Sequence, residues 1–325
     1  MRRGFVVGIV LTLMTPMIGA EIVISQPQYS EGDWFEYDGW TASVFAQYET
    51  KMVTESADFE FLSLTEDVPM RITFEANENA NLGGQDVNCR VSQIDHSVNM
   101  TVHFTEGTTD YVGDMMTLNV STSIEVWMPT GASGYEKRVE NILVESWFSG
   151  GGEDNYIESK LMTEEIINRD GLWPNQIEVG DEWDFAETIS RTTVHEERVN
   201  RALWNETSRT TQELSRQVTW TALEDTTIST GDDNLDDTST LKMEQQIVGE
   251  ARYSLDWYHE EGFLVKTQHF ANGTLVLSAT LTDRNYGSEN VVNTVVTENG
   301  LPSISSLATL GIIGFAASRR LKSER

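Results

Sequence analysis

The 325-residue chain is 39% hydrophobic, with nine Trp, twelve Phe and nine Tyr, which is apolar material for one large or two ordinary domains and excludes wholesale disorder. A formal net charge of −30 excludes nucleic acid and anionic lipid headgroups as partners of the body, since both would be repelled. The single cysteine, Cys89, excludes an intramolecular disulfide and reads as a small buried hydrophobe.

Residues 1–20, MRRGFVVGIVLTLMTPMIGA, carry two arginines, an apolar run and a small-residue site at Ile18-Gly19-Ala20. This is the pattern of an export signal cleaved near Ala20. Arg2-Arg3 resembles a twin-arginine signal only in part, and the general secretory route is the better reading.

The first β-rich unit spans 28–149. It opens on QYSEGDWFEYDGW, where Gly32-Asp33 reads as a turn and the next residues as a strand. Alternation places Phe35 and Tyr37 on one face and Trp34 and Glu36 on the other. Arg71–Phe74, Cys89–Ile94 and Met100–Phe104 continue as strands, rich in β-branched and alternating residues. The segment IEVWMPTGASGYEKRV (124–139) has the form of a hairpin built on Trp127, Gly134, Tyr135 and Arg138.

A connector covers 150–172. Gly150–Asp154 is a loop, and Tyr156–Asn168 (YIESKLMTEEIIN) has the composition of a short helix. The second unit, 173–290, repeats the first. QIEVGDEWDF at 176–185 aligns with 28–37 without gaps, at an offset of 148 residues, with Trp183 and Phe185 in the places of Phe35 and Tyr37. SLDWYHEEGFLVKT at 254–267 matches the first hairpin through Trp257, Gly262, Phe263 and Lys266. Gln217–Leu223 and Thr274–Leu281 read as strands, whereas Val194–Asn205 mixes helix formers into a Thr/Val pattern.

A linker at 291–306 leads to an apolar stretch and basic tail at 307–325, ending in Arg319, Arg320, Lys322 and Arg325. Counted from Leu301 to Ser318, the apolar segment is long enough to span a bilayer, with the basic tail inside. The Pro-containing motif at Leu301–Ser305, the apolar helix and the basic cluster together resemble the C-terminal sorting signals read by archaeosortase- or exosortase-type transpeptidases. Such a signal implies a membrane contact through the C-terminal helix and processing by a sortase-type enzyme. The alternative is an uncut anchor. Four sequons, Asn99, Asn119, Asn205 and Asn272, suit glycosylation of an exported chain.

The paired motifs, a Gly-Asp-aromatic opening and a closing Trp-loop-Gly-aromatic hairpin, resemble exported β-rich domains that look like the lipoprotein-carrier (LolA/LolB-like) class. The resemblance implies a mainly β fold of two related antiparallel half-barrels, and a lipid or other apolar ligand in a concave sheet.

Chemistry is sparse along the chain. The five histidines, His96, His103, His195, His259 and His269, form no zinc spacing, and no nucleophile elbow, P-loop or dinucleotide fingerprint occurs. Asp33/Glu36 and Asp181/Asp184 are three residues apart in strands and so face opposite ways, which argues against a local glycosidase pair. In the GDDNLDD loop, Asp232, Asn234 and Asp236 fall at positions 1, 3 and 5 of a Ca²⁺ loop, but Asp237 replaces the turn glycine and Met243 the terminal Glu. A solvated acidic loop is the competing reading. Trp34 and Trp40 are candidate ligand-platform residues peculiar to the first unit. No cofactor is expected. The leading expectation is a non-enzymatic extracellular surface protein, anchored by its C-terminus, that binds a lipid or apolar ligand. A structural or adhesive module and a secreted hydrolase are the alternatives.

Overall fold

The computed structural model describes residues 22–25, 29–43, 59–66, 68–82, 84–104, 115–129, 135–148, 155–171, 176–233 and 237–286, with a few isolated positions between them. The leader at 1–20, the linker at 291–306 and the stretch at 307–325 lie outside the described residues. Among the described residues, no helix is long and apolar enough to cross a membrane.

Strands dominate. In the first half they are β1 (Ile24–Ser25), β2 (Trp34–Asp38), β3 (Phe59–Glu66), β4 (Met70–Phe74), β5 (Glu78–Leu82), β6 (Gln85–Phe104), β7 (Met115–Pro129) and β8 (Lys137–Phe148). The rest are β9 (Asn155–Asp170), β10 (Gln176–Ile177), β11 (Glu182–Val199), β12 (Asn205–Ile228), β13 (Thr238–Ile247), β14 (Arg252–Tyr258), β15 (Leu264–Ala271) and β16 (Thr274–Asn285). Twelve of them form one antiparallel ring in the order β6-β4-β2-β16-β15-β14-β13-β12-β11-β9-β8-β7, closed by the pairing of β7 with β6. β3 and β5 pair with β6 outside the ring, and β1 pairs with β10 as a separate short ribbon.

The expected pair of half-barrels is thus replaced by a single closed barrel to which both units contribute. The segment Tyr156–Asn168 is not helical. It lies within β9, which pairs with β8 on one side and β11 on the other. Helix-forming Glu, Lys and Met lose to tertiary context here, because Ile157 and Ser159, then Met162 and Glu164, are buried at every second position. Likewise Val194–Val199 completes β11, and Asn205 begins β12.

The repeat persists in the backbone. β2 pairs with β4 as Trp34↔Thr73, Phe35↔Ile72, Glu36↔Arg71 and Tyr37↔Met70. Adding 148 to each number gives Glu182↔Thr221, Trp183↔Trp220, Asp184↔Thr219 and Phe185↔Val218, which are pairs of β11 with β12. The turns before the strands also match. The Asp33 carboxylate accepts the Ser30 N–H at 2.7 Å, and Asp181 accepts that of Glu178 at 2.9 Å. Gly32 and Gly180 hold φ of 87° and 93°, a region glycine enters without a Cβ penalty. In the hairpins the equivalence shifts by one. Trp127 stands opposite Lys137 and Trp257 opposite Lys266, with each ammonium 5.2 and 5.1 Å from its ring centroid. Lys137 is therefore the counterpart of Lys266. Arg138 takes the place of Thr267 and faces inward.

The core is one continuous cluster. Phe35 and Tyr37 point into it, as alternation requires, and Phe35 packs among Tyr29, Phe74, Phe263 and Tyr286. Tyr37 donates its hydroxyl to the Leu264 carbonyl at 2.9 Å. Trp34 lies on the outer face under the Arg71 guanidinium, 4.1 Å away.

The wall is uneven in height. β6, β9, β11 and β12 run for 20, 16, 18 and 24 residues, whereas β2, β4, β14 and β15 have 5, 5, 7 and 8. β13 pairs only with Val218–Ile228 of β12, so the upper part of β12 rises above the closed level. A Phe35→Ala change is expected to destabilise the fold by about 3–5 kcal/mol. Trp34→Ala, which removes only an outer-face stack, costs about 1 kcal/mol or less. Urea denaturation of both variants reads the difference, and equal losses would refute this assignment of faces.

Candidate functional site inside the barrel

Ring closure sends every second side chain of each strand inward. On β2, β4, β6, β7 and β16 those positions are largely apolar: Phe35, Met70, Ile72, Val98, Met100, Leu118, Val120, Leu277 and Leu281 are all buried. On β8, β9, β11 and β12 the same parity carries charge.

Two cross-strand arrays make up this polar wall. In one, Glu187 on β11 is flanked by its direct register partners Arg169 on β9 and Arg216 on β12, with contacts of 2.7 and 2.8 Å. Arg169 also reaches Glu136 at 3.2 Å and the Tyr135 carbonyl at 2.7 Å, and Arg216 donates to the Tyr135 hydroxyl at 2.8 Å. In the other, Glu164 on β9 lies between its register partners Arg138 on β8 and Arg191 on β11, at 3.7 and 2.5 Å. Arg138 further binds Glu140 at 2.7 Å. Burial alone would raise the Glu187 carboxyl, but Arg216 and Arg169 hold it below its ordinary value. Lys160 lies on the same face, opposite Ile142, and burial lowers its pKa against the pull of Glu140. Among the described residues no carboxylate lies within 4 Å of Lys160. Above it, the Tyr156 hydroxyl contacts Glu158 at 3.0 Å and Glu197 at 2.8 Å.

A second polar group lies across the ring on the β14–β15 hairpin. Asp256 stands opposite Thr267, and Ser254 opposite His269. The Asp256 carboxylate accepts hydrogen bonds from the Thr267 hydroxyl at 2.5 Å and from Ser254 at 3.2 Å, and His269 Nε2 lies 3.3 Å from Thr267 Oγ1. No cation joins them among the described residues, and burial pushes the Asp256 carboxyl up to about 7. The buried Tyr258 hydroxyl, two residues along the same face, has no hydrogen-bond partner among the described residues. On β6, His96 meets Thr41 at 2.7 Å. Because the Thr41 hydroxyl donates to the Val68 carbonyl, His96 Nε2 is the donor to Thr41. Burial lowers both His96 and His269 to about 4.

The residues singled out from sequence fall mostly elsewhere. Trp40 begins a helical turn after β2 and is buried 6.2 Å from the His96 ring, where it fills the core rather than facing a ligand. Trp34 is on the outer face. Asp232 is buried and ion-paired to Arg284 at 3.0 Å, so its carboxylate is already engaged; Asn234 and Asp236 lie outside the described residues. Glu36 binds Arg71, Asp184 binds Thr219, and Asp33 and Asp181 close turns, so these carboxylates do not converge. Asn99 and Asn119 oppose each other on the outer faces of β6 and β7 and share a hydrogen bond. Asn205 is exposed at the start of β12, and Asn272 forms the β15–β16 turn with φ of 52°.

Sequence reasoning missed the interior charges, though parity carried a signal. Glu187 shares its face with Phe185 and Ile189, and Glu164 with Met162, so each sits in a core position of its strand. Among the described residues, no group of three or more His, Cys, Asp and Glu is arranged to hold a metal ion. Comparison with protein-family models, curated proteins and solved structures finds no match for this chain.

Removing one member of a buried array leaves its partners uncompensated. Glu164→Gln is expected to cost about 3–5 kcal/mol, measured by denaturant titration. The buried titrating groups also set a pH dependence. With folded pKa values of about 4, His96 and His269 withdraw stability as pH falls through the window below their unfolded values. Asp256, raised to about 7, acts with the opposite sign: the folded state keeps a proton that the unfolded chain releases at lower pH, so its contribution falls as pH rises toward 7. With His96 and His269 acting against Asp256, the melting temperature is expected to rise from about pH 4 toward neutrality. Asp256→Asn removes the opposing contribution and should steepen that rise, and an unchanged profile in that variant would refute the assignment.

Proposed function

We propose that this protein is an exported, cell-surface protein, anchored by its C-terminus, whose barrel holds a lipid-like ligand without transforming it. The observation that carries this reading is the lining of the barrel. An eight-stranded ring is just filled by its own side chains, and diameter grows with strand number. A twelve-stranded ring has more interior to occupy. Its inner surface is apolar on β6 and β7, and on β9 and β11 it becomes a polar wall where Lys160, Thr193 and His195 remain only half-buried. That division suits an apolar chain with a polar end, as ligand sites combine apolar walls with a few placed polar groups.

The leader at 1–20 and the sorting-type segment at 301–325 support export and anchoring, with cleavage near Ala20 and sortase-type processing or an intact membrane helix at the other end. The two units of the repeat act as the halves of one container. Asn205 and Asn272, exposed at a strand start and a turn, are the sequons best placed for glycans. The acidic outer surface keeps the body away from anionic headgroups and in solution.

A second reading, a purely structural envelope module, is favoured by the closed level of the ring. There Trp220, Tyr37, Tyr258, Phe263 and Met70 are fully buried and fill the space between walls. A titration separates the two. The full chain in mild detergent is mixed with N-phenyl-1-naphthylamine and followed by probe fluorescence. The ligand-holding reading expects saturable binding of one probe per chain that a long-chain fatty acid displaces. A linear, non-saturating response would favour the structural module.

A further inference from the structure

We infer that the upper edge of β12 is a homodimer contact, joining two copies of this chain by antiparallel strand pairing. The open edge is a direct consequence of the uneven wall. From Asn205 to Thr221, β12 is paired with β11, but β13 covers it only from Val218. The Asn205–Glu213 stretch is exposed throughout. The Gln217 carbonyl is taken by the Val248 N–H at 2.9 Å. Below Gln217 the side of β12 that faces away from β11 pairs with no strand among the described residues. An edge of this length presents backbone donors and acceptors to any extended segment that fits.

Exposed edges are commonly protected by charge, since a like charge opposite repels an incoming strand. The charges on this edge do the reverse for its own copy. Arg209, Thr211 and Glu213 alternate along the outer face, opposite Val194, Thr192 and Ser190 of β11. An antiparallel partner centred on Thr211 places Arg209 of each chain opposite Glu213 of the other, and Thr211 opposite Thr211. On the inner face, Thr210 then meets Gln212. The edge is thus self-complementary in that register, and every outward charge in the central stretch finds its opposite. Arg209 is 56% exposed and held by Glu206, which is 41% exposed. Both are on the solvent side and free of the buried arrays. No proline interrupts the stretch, and Thr is well suited to strand pairing. Joining two β12 edges makes the tall walls of both barrels one continuous sheet, with the polar inner walls side by side.

The test is the oligomeric state of the full chain in mild detergent, read by sedimentation equilibrium across a concentration series. The wild-type chain is expected to associate reversibly into a dimer. Arg209→Glu or Glu213→Arg alone sets like charges opposite each other twice per dimer and should weaken association roughly tenfold or more. The double variant R209E/E213R restores opposite charges and should recover dimerisation. All three variants lie on exposed outer-face positions, and unchanged circular dichroism confirms that they fold. A chain that stays monomeric at the highest concentration overturns the inference. So does a dimer that is indifferent to the single changes, or one that the double variant fails to restore.

Discussion

The barrel depends on a rule of parity. Once a sheet closes, each strand must send alternate side chains into a space without bulk water, and whatever occupies those positions must be apolar or satisfied there. The short wall obeys with Phe35, Tyr37, Leu277 and Leu281. The tall wall obeys differently, with Arg and Glu that neutralise one another across neighbouring strands. Register makes this possible. Glu187 faces Arg169 and Arg216 directly, so the charges meet across adjacent strands at 2.7 and 2.8 Å. Buried pairs of this kind add little net stability over apolar substitutes, but they penalise any slip, since a shift by one residue would bury a charge without its partner. The arrays therefore act as register keys for the longest strands.

The acidic excess of the chain and its interior are chemically separate. Inside or against the wall, Arg138, Arg169, Arg191 and Arg216 are balanced by Glu136, Glu140, Glu164 and Glu187, so the acidic excess of the chain lies outside these arrays. Asp256, a buried carboxylate without an ion pair among the described residues, lies on the opposite hairpin, supported by the Thr267 and Ser254 hydroxyls. The interior is thus polarised between a charge-balanced wall and a site whose charge depends on protonation.

What the sequence made legible was local chemistry. The Gly-Asp turns and the aromatic alternation of Phe35/Tyr37 are each set by neighbours in the chain and appear as read, whereas in the first Trp hairpin the basic partner is Lys137 rather than Arg138. The repeat was visible because turn residues tolerate little drift. Ring closure was not, since it is decided by which edges meet far apart in the chain. Tyr156–Asn168 misled because its residues favour helix in isolation, and only Arg138 and Arg191 on adjacent strands give Glu164 a reason to lie inside a sheet. Lys137 and Arg138 carry the same charge, so sequence alone does not distinguish which of them stands opposite Trp127. Trp40, a candidate ligand platform, is buried in the core, and Asp232, a candidate Ca²⁺ ligand, is buried in an ion pair with Arg284.

The closing seam has a temporal meaning. β2, the first strand of the ring, is held between β4 and β16, the last, and the Tyr37–Leu264 hydrogen bond joins residues 227 apart. No circle of strands exists until the end of the body has emerged. Such distant contacts make folding slow, because the loop entropy is spent before the reward arrives. With no disulfide to hold an intermediate, the early half must wait with an unsealed edge for its final neighbour. The molecule's most exposed moment is the interval before the last strand arrives, and its assembly is governed by the order of synthesis as much as by the strength of any contact.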